Sequence, residues 1–225
     1  SSILSLIMAN LSNSGNDTFY LAFKDVHPSW SLIGCALTYG TIALIGTIFN
    51  FSVIFVTIKT KSLNGTANYL VALCSFYELI QQFGIFLFVY TIFSGQNFIK
   101  CRLAAKILFI PLIALAAIVP TMFFTGVDRL IGIAFSEFHD NLKKRLYLAL
   151  LTVISLSYGF CFSIPVYQKA IEDGDQMTTG SYFDFIKSVS LIITITFWLI
   201  TMTCIIYICL GIVVCIKASG KQIYF

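Results

Sequence analysis

Five apolar stretches constrain this chain more than any other feature. They run from about residue 30 to 58, 67 to 93, 103 to 127, 145 to 165 and 184 to 216. Each supplies the roughly 20 mostly apolar residues that an α-helix needs to cross a hydrocarbon core. The breaks between them (KTKSLNGT, SGQNFIKC, SEFHDNLKK and QKAIEDGDQMTTGS) are polar and turn-rich. They are short, so consecutive helices are expected to be antiparallel neighbours in one bundle. Composition supports this reading: 11% of the residues are charged, against about 25% in a soluble domain. The predicted fold class is an all-α integral membrane bundle with five transmembrane helices. Residues 1–29 form a tail, 30–217 the five-span unit and 218–225 an inner end, with no second domain, low-complexity segment or inverted repeat.

The formal net charge of +4 does not point to nucleic acid, because the basic residues are scattered in short clusters between apolar runs. The expected surroundings are a lipid bilayer. Six of the seven cysteines fall inside or at the end of apolar runs, where a thiol behaves as a small hydrophobe. Only Cys101 lies in a loop-like stretch, so no disulfide framework is expected. The first residue is serine, which implies a trimmed or processed start. The stretch ILSLIMA (3–9) is too short for a span and is either the tail of a signal sequence or an N-terminal segment.

Orientation follows from lysine and arginine near the span ends. With the N-terminus outside, the inner side receives Lys59, Lys61, Arg129, Lys143, Lys144, Arg145, Lys217 and Lys221, and the outer side Lys24, Lys100, Arg102 and Lys169. Two glycosylation sequons, at Asn10 (Asn-Leu-Ser) and Asn16 (Asn-Asp-Thr), fall in the tail and agree with N-out, C-in. A third, at Asn64, falls in the first inner loop and is expected to stay bare.

Ionisable groups inside spans are expensive and are usually paired or functional. Glu78 stands in the middle of the second span, followed by Gln81 and Gln82, and Asn50 stands in the first. Antiparallel packing would bring Asn50 and Glu78 to one depth, where the amide can bond the carboxyl. The pair either glues two helices, worth about 0.6 kcal/mol, or forms an ion- or proton-sensitive switch. Asp128 and Arg129, in TGVDRLIGIAF, are expected at the inner water boundary of the third span. Either Arg129 snorkels to anchor a helix end, or Asp128 holds it in reserve.

Asn50, Asn68, Glu78 and the Asp128-Arg129 pair follow the rhodopsin-like seven-helix receptor plan in order and depth. In TANYLVALCSFYELIQQFG and TGVDRLIGIAF the chain resembles the serpentine-receptor class sx family of nematode chemoreceptors, over about residues 34 to 217. That resemblance implies a G-protein-coupled chemosensory receptor that senses an extracellular small molecule or peptide. The implied setting is the plasma or ciliary membrane of a sensory cell. It further implies that Arg129 contacts a heterotrimeric G protein while Asp128 restrains it by an ion pair at rest. Glu78 would be the acid of a polar core or sodium site, with Asn50 as partner.

The departures from the plan are specific. Cys101 stands about one turn off its expected place, and residues 166–203 contain no cysteine, so the usual outer disulfide is not expected. Helix four has no tryptophan, and Ser136 stands where a proline often follows the Asp-Arg pair. The chain ends after the fifth span, so helices six and seven of the plan are missing. The expectation is therefore an incomplete receptor. The alternatives are a truncated, non-signalling product that modulates a full-length partner, or a transporter or channel subunit.

Pro111 and Pro120 lie within the third span, and Pro165 is expected to close the fourth. Ligand-side candidates in the outer half are Gln96, Lys106, Phe109, Asp184 and Lys187. Lys106 either snorkels or favours a neutral or anionic ligand. Cys215 is either a palmitoylation site or a plain membrane-facing thiol. No enzyme is expected, since His27 and His139 fall on opposite faces and no metal cluster, nucleophile elbow or phosphate loop is present. No cofactor is expected.

Overall fold

In a computed structural model, residues 20–23, 26, 29–63, 65–141, 143–186 and 190–222 are described. The helices are α1 (Trp30–Lys59), α2 (Thr66–Phe93), α3 (Cys101–Ala134), α4 (Ser136–Asn141), α5 (Lys144–Glu172), α6 (Tyr182–Ile186) and α7 (Ser190–Gln222). Among the described residues five helices are long and apolar enough to cross a membrane: α1, α2, α3, α5 and the Ile193–Ile216 part of α7. A helix bonds its own backbone internally, which is what a bilayer core demands. Large apolar side chains such as Ile42, Phe49, Phe51, Ile58, Phe83, Phe197 and Ile208 lie exposed on the outside. Acyl chains tolerate that surface where water would not.

The helix α3 is the hub. It packs on α2, α5 and α7, while α1 rests on α2. Half of α3's most apolar window is buried, against 6% for α7, so α3 forms the centre and α7 the rim. Membrane helices gain little from hydrophobicity when they associate and rely on close packing at small residues. Ala104, Ala105, Ala114, Ala116 and Ala117 supply that surface on α3. Gly159 on α5 faces the Ile113 carbonyl so closely that an added Cβ would lie 2.6 Å from the oxygen.

At one end of the bundle a two-residue ribbon, β1 (Ile99–Lys100) and β2 (Met177–Thr178), pairs antiparallel, Ile99 opposite Thr178. It seats the loop before α6 over the start of α3, where the Cys101 amide donates to the Gln176 carbonyl at 2.9 Å. Asn97, buried and at φ 55, donates its side-chain amide to the carbonyls of Phe23 and Val26, both at 3.1 Å. The end of the N-terminal segment is thereby tied to the loop after α2. All seven cysteines are unpaired.

Three boundaries differ from expectation. The third helix runs past residue 127 to Ala134, so Asp128 and Arg129 lie within its last turns. The fourth does not end at Pro165 but continues to Glu172, as neighbouring helices allow a proline inside a bundle. Pro111 and Pro120 are likewise inside α3. The fifth span does not begin at residue 184: Asp184 belongs to the separate short helix α6. The cause is local, because the Asp184 carboxylate accepts from Thr178 Oγ1 at 2.6 Å, Thr179 N at 3.1 Å and Thr179 Oγ1 at 3.0 Å. Those bonds fold the segment back onto the ribbon.

Candidate functional site

The site builds outward from Asp128, whose residue is 2% exposed. A carboxylate that deep needs several donors. Thr66, in the first turn of α2, donates its hydroxyl to the two carboxylate oxygens at 2.8 and 3.0 Å. His139, on α4, places Nε2 3.1 Å from Oδ1 and 3.1 Å from the Thr66 hydroxyl. Tyr147, near the start of α5, adds its hydroxyl to the same carboxylate. One acid in α3 therefore ties together α2, α4 and α5.

The expected ion pair between Asp128 and Arg129 is not made among the described residues. Adjacent residues on a helix point about 100° apart, so when Asp128 faces inward Arg129 turns away. Arg129 is exposed and its charge acts on Tyr207 of α7. The two residues face a common cavity of about 460 Å³, whose walls include Thr66, Asn68, Gly132, His139 and, on α7, Leu210 and Val214. Close approach of α7 to α3 depends on Gly126, where an added Cβ would lie 2.9 Å from Ile206.

In the bundle interior, α1 and α2 do meet at the expected register, but a neighbouring pair makes the bond. Thr47 donates to Gln82 Oε1 at 2.6 Å. Asn50 is buried one turn further along α1, and no described hydrogen bond joins it to Glu78. Glu78 instead takes a long contact, 4.0 Å, from the Cys74 thiol. A hard cation prefers oxygen donors, and a thiol neighbour does not fit sodium, so no step is assigned to one. Among the described residues no group of three His, Cys, Asp or Glu gathers as a metal site.

Among the described residues the ligand-side candidates do not converge. Gln96 and Lys106 are exposed. Phe109 is partly buried and tilted against Tyr167, ring centroids 4.9 Å apart. Asp184 is occupied by its threonine donors in the loop. Lys187, Asn10 and Asn16 lie outside the described residues, as do Asn64 and His27. The residue that does enter this end of the bundle is Tyr182. Its hydroxyl donates to the Gln81 carbonyl at 2.5 Å, and burial pushes the phenol above the ordinary tyrosine range.

Thr66, His139, Tyr147 and Tyr182 were not among the residues singled out for the site. Only His139 carried a signal, as a histidine eleven residues past Asp128 in a loop too short to leave that surface. Thr66 and Tyr147 look like ordinary span-end residues until the helices are packed.

The profile of the family described as "Serpentine type 7TM GPCR chemoreceptor Srsx" matches residues 43–223. No curated protein is a match for the chain. The match covers both the Asp128 network and the spans on either side of it. It is a receptor family rather than an enzyme family, and its members cross the membrane several times. The chain, an all-α multi-pass membrane protein with a chemosensory receptor's architecture, belongs to the serpentine Srsx chemoreceptor family.

Proposed function

We propose that the chain is part of a receptor that senses an extracellular small molecule or peptide and, at full length, passes the signal to a heterotrimeric G protein through Arg129. The observation that carries this reading is the division of labour at the end of α3. Asp128 is buried and saturated by three neighbours, while the adjacent Arg129 stands exposed beside a cavity of about 460 Å³. In this reading the N-terminus is outside, in the plasma or ciliary membrane of a sensory cell, and the Arg129 end is cytoplasmic. Asp128 then acts as a positioning residue: it fixes the cytoplasmic ends of α2, α4 and α5 around α3. Arg129 supplies a guanidinium fork suited to backbone carbonyls or carboxylates of a partner.

The experiment compares the full-length receptor with its Arg129→Ala variant in nanodiscs carrying a heterotrimeric G protein, reading nucleotide exchange and melting temperature together. Loss of a charge-assisted contact lowers exchange by about tenfold or more, with melting unchanged. Exchange equal to that of the unsubstituted chain overturns the reading. Orientation is tested separately: Asn10→Gln and Asn16→Gln each remove a glycan-sized mass if the tail is lumenal, and Asn64→Gln removes none.

A further inference from the structure

Three consecutive cations, Lys143, Lys144 and Arg145, stand exposed at the start of α5, on the Arg129 side of the bundle. The first turn of α5 carries no acid. Among the described residues no ion pair joins any of the three to one. Their place is fixed, because Tyr147, two residues on, bonds the Asp128 carboxylate of α3. Beyond the cations α5 has two unlike faces. Leu151, Ser155, Gly159, Phe162 and Val166 are buried on the side that packs on α3. Leu146, Leu150, Val153, Phe160 and Ile164 lie exposed on the other, at the three- and four-residue steps that make one stripe along a helix. At 100° per residue Lys143 flanks the head of that stripe on one side and Arg145 on the other. From Leu146 to Ile164 the stripe is about 27 Å long, close to the roughly 30 Å of a hydrocarbon core.

We propose that this corner of α5 holds a phosphoinositide of the surrounding leaflet. Its phosphorylated headgroup sits on Lys143, Lys144 and Arg145, and an acyl chain runs along Leu146, Leu150 and Val153. Charge selects the headgroup. One phosphodiester leaves most of three adjacent positive charges unanswered, whereas each added phosphomonoester brings about −1.5 to −2. Arg145 offers a fork that grips two phosphate oxygens at once, and the lysines act as mobile point charges. The stripe selects a lipid over a free phosphate. A soluble anion would use the cations and leave the apolar face idle, and an uncharged lipid would do the reverse. This inference rests on the receptor reading only in taking the Arg129 end as cytoplasmic, the side on which such headgroups meet juxtamembrane cations.

The probe is phosphatidylinositol bisphosphate, titrated into the purified chain in detergent and read by native mass spectrometry. Phosphatidylserine is the singly charged comparison, and inositol trisphosphate is the headgroup without acyl chains. The chain is compared with a triple variant, Lys143→Gln, Lys144→Gln and Arg145→Gln, and with Arg145→Lys. A Lys59→Gln, Lys61→Gln variant removes two cations at the same end of the bundle, beside α1 instead of α5, and so measures the effect of general charge.

The triple variant loses about a hundredfold in affinity for the bisphosphate lipid, roughly fivefold for each cation, while the Lys59, Lys61 variant stays within about twofold of the unsubstituted chain. Arg145→Lys keeps the charge but not the fork and loses about threefold. Phosphatidylserine binds about tenfold weaker than the bisphosphate lipid, and inositol trisphosphate does not displace it. Equal losses in the two charge-removing variants, or phosphatidylserine equal to the bisphosphate lipid, overturn the proposal. Displacement by inositol trisphosphate at the lipid's own concentration overturns it too, in favour of a free-phosphate site. Should the triple variant not fold, each single substitution decides in the same way through its fivefold share. Neither sidedness nor a G protein enters the titration. A receptor that drives exchange through Arg129 while this chain binds no bisphosphate lipid refutes the corner alone, and the converse refutes only the Arg129 reading.

Discussion

Asp128 and Asp184 lie toward opposite ends of the bundle, and each gathers several donors onto one carboxylate. The donors differ in origin. Those of Asp184 come from Thr178 and Thr179, six and five residues away. Thr66 lies 62 residues from Asp128 and His139 eleven, on two other helices, with Tyr147 on a third. Asp184 shapes a loop, whereas Asp128 holds a bundle together. Burial follows the same division: Asp128 is buried between helices and Asp184 is only partly covered. An acid that joins distant elements must lie where they meet, and there its neighbours cover it.

The comparison is broken most directly by removing each acid. Asp128→Ala leaves a threonine, a histidine and a tyrosine without their shared acceptor at the contact between helices. It should cost about 3 kcal/mol, read as a lower global melting temperature in detergent. A melting temperature equal to that of the unsubstituted chain would show that the network is decoration. Asp184→Ala should cost about 1.5 kcal/mol and act locally. The Thr179 amide loses its acceptor and exchanges faster, while the amides around Asp128 keep their protection. Equal acceleration at both ends would mean that the loop and the bundle form one unit.

Alkaline titration sharpens the loop side of the comparison. Burial raises the Tyr182 phenol above its ordinary value of 10.0, so the folded chain keeps a proton that the unfolded chain releases. Its contribution is fully present below pH 10.0 and is lost progressively above it, by about 1 kcal/mol over the first pH unit. Tyr182→Phe should remove that slope, and an identical slope in the variant would place Tyr182 in water. The smallest effect is expected at Thr47→Val, which deletes the bond to Gln82 between α1 and α2. Membrane double-mutant values suggest about 0.6 kcal/mol, measurable as a small shift in melting temperature. A loss comparable to that of Asp128→Ala would make α1–α2 the true anchor.

Much of the site's cast was legible in the chain, but its bonds were not. Asp128 and Arg129 were singled out as a pair because a charge inside an apolar run demands a reason. Their pairing with each other did not follow, since neighbours on a helix diverge. Asn50 and Glu78 were placed at matching depth, and the register of α1 against α2 agrees, yet Thr47 and Gln82 make the bond. Side-chain length and rotamer decide among polar groups one turn apart, and periodicity does not resolve them. Asp184 was assigned to the ligand side of a span because its segment runs into apolar sequence. Two threonines upstream draw it back into the loop instead.

The sequence by itself determined that this chain is a membrane bundle, which segments are long and apolar enough to cross and which deep charges require explanation. Hydropathy and span length act locally, and a hydrocarbon core enforces them residue by residue. Only the tertiary structure decided that Asp128 serves three helices rather than Arg129, and that a loop tyrosine fills the space between α2 and α3. Both outcomes depend on the close approach of segments far apart in the chain. Gly84, Gly126 and Gly159 permit those approaches, and which face each glycine presents is settled only when the helices pack.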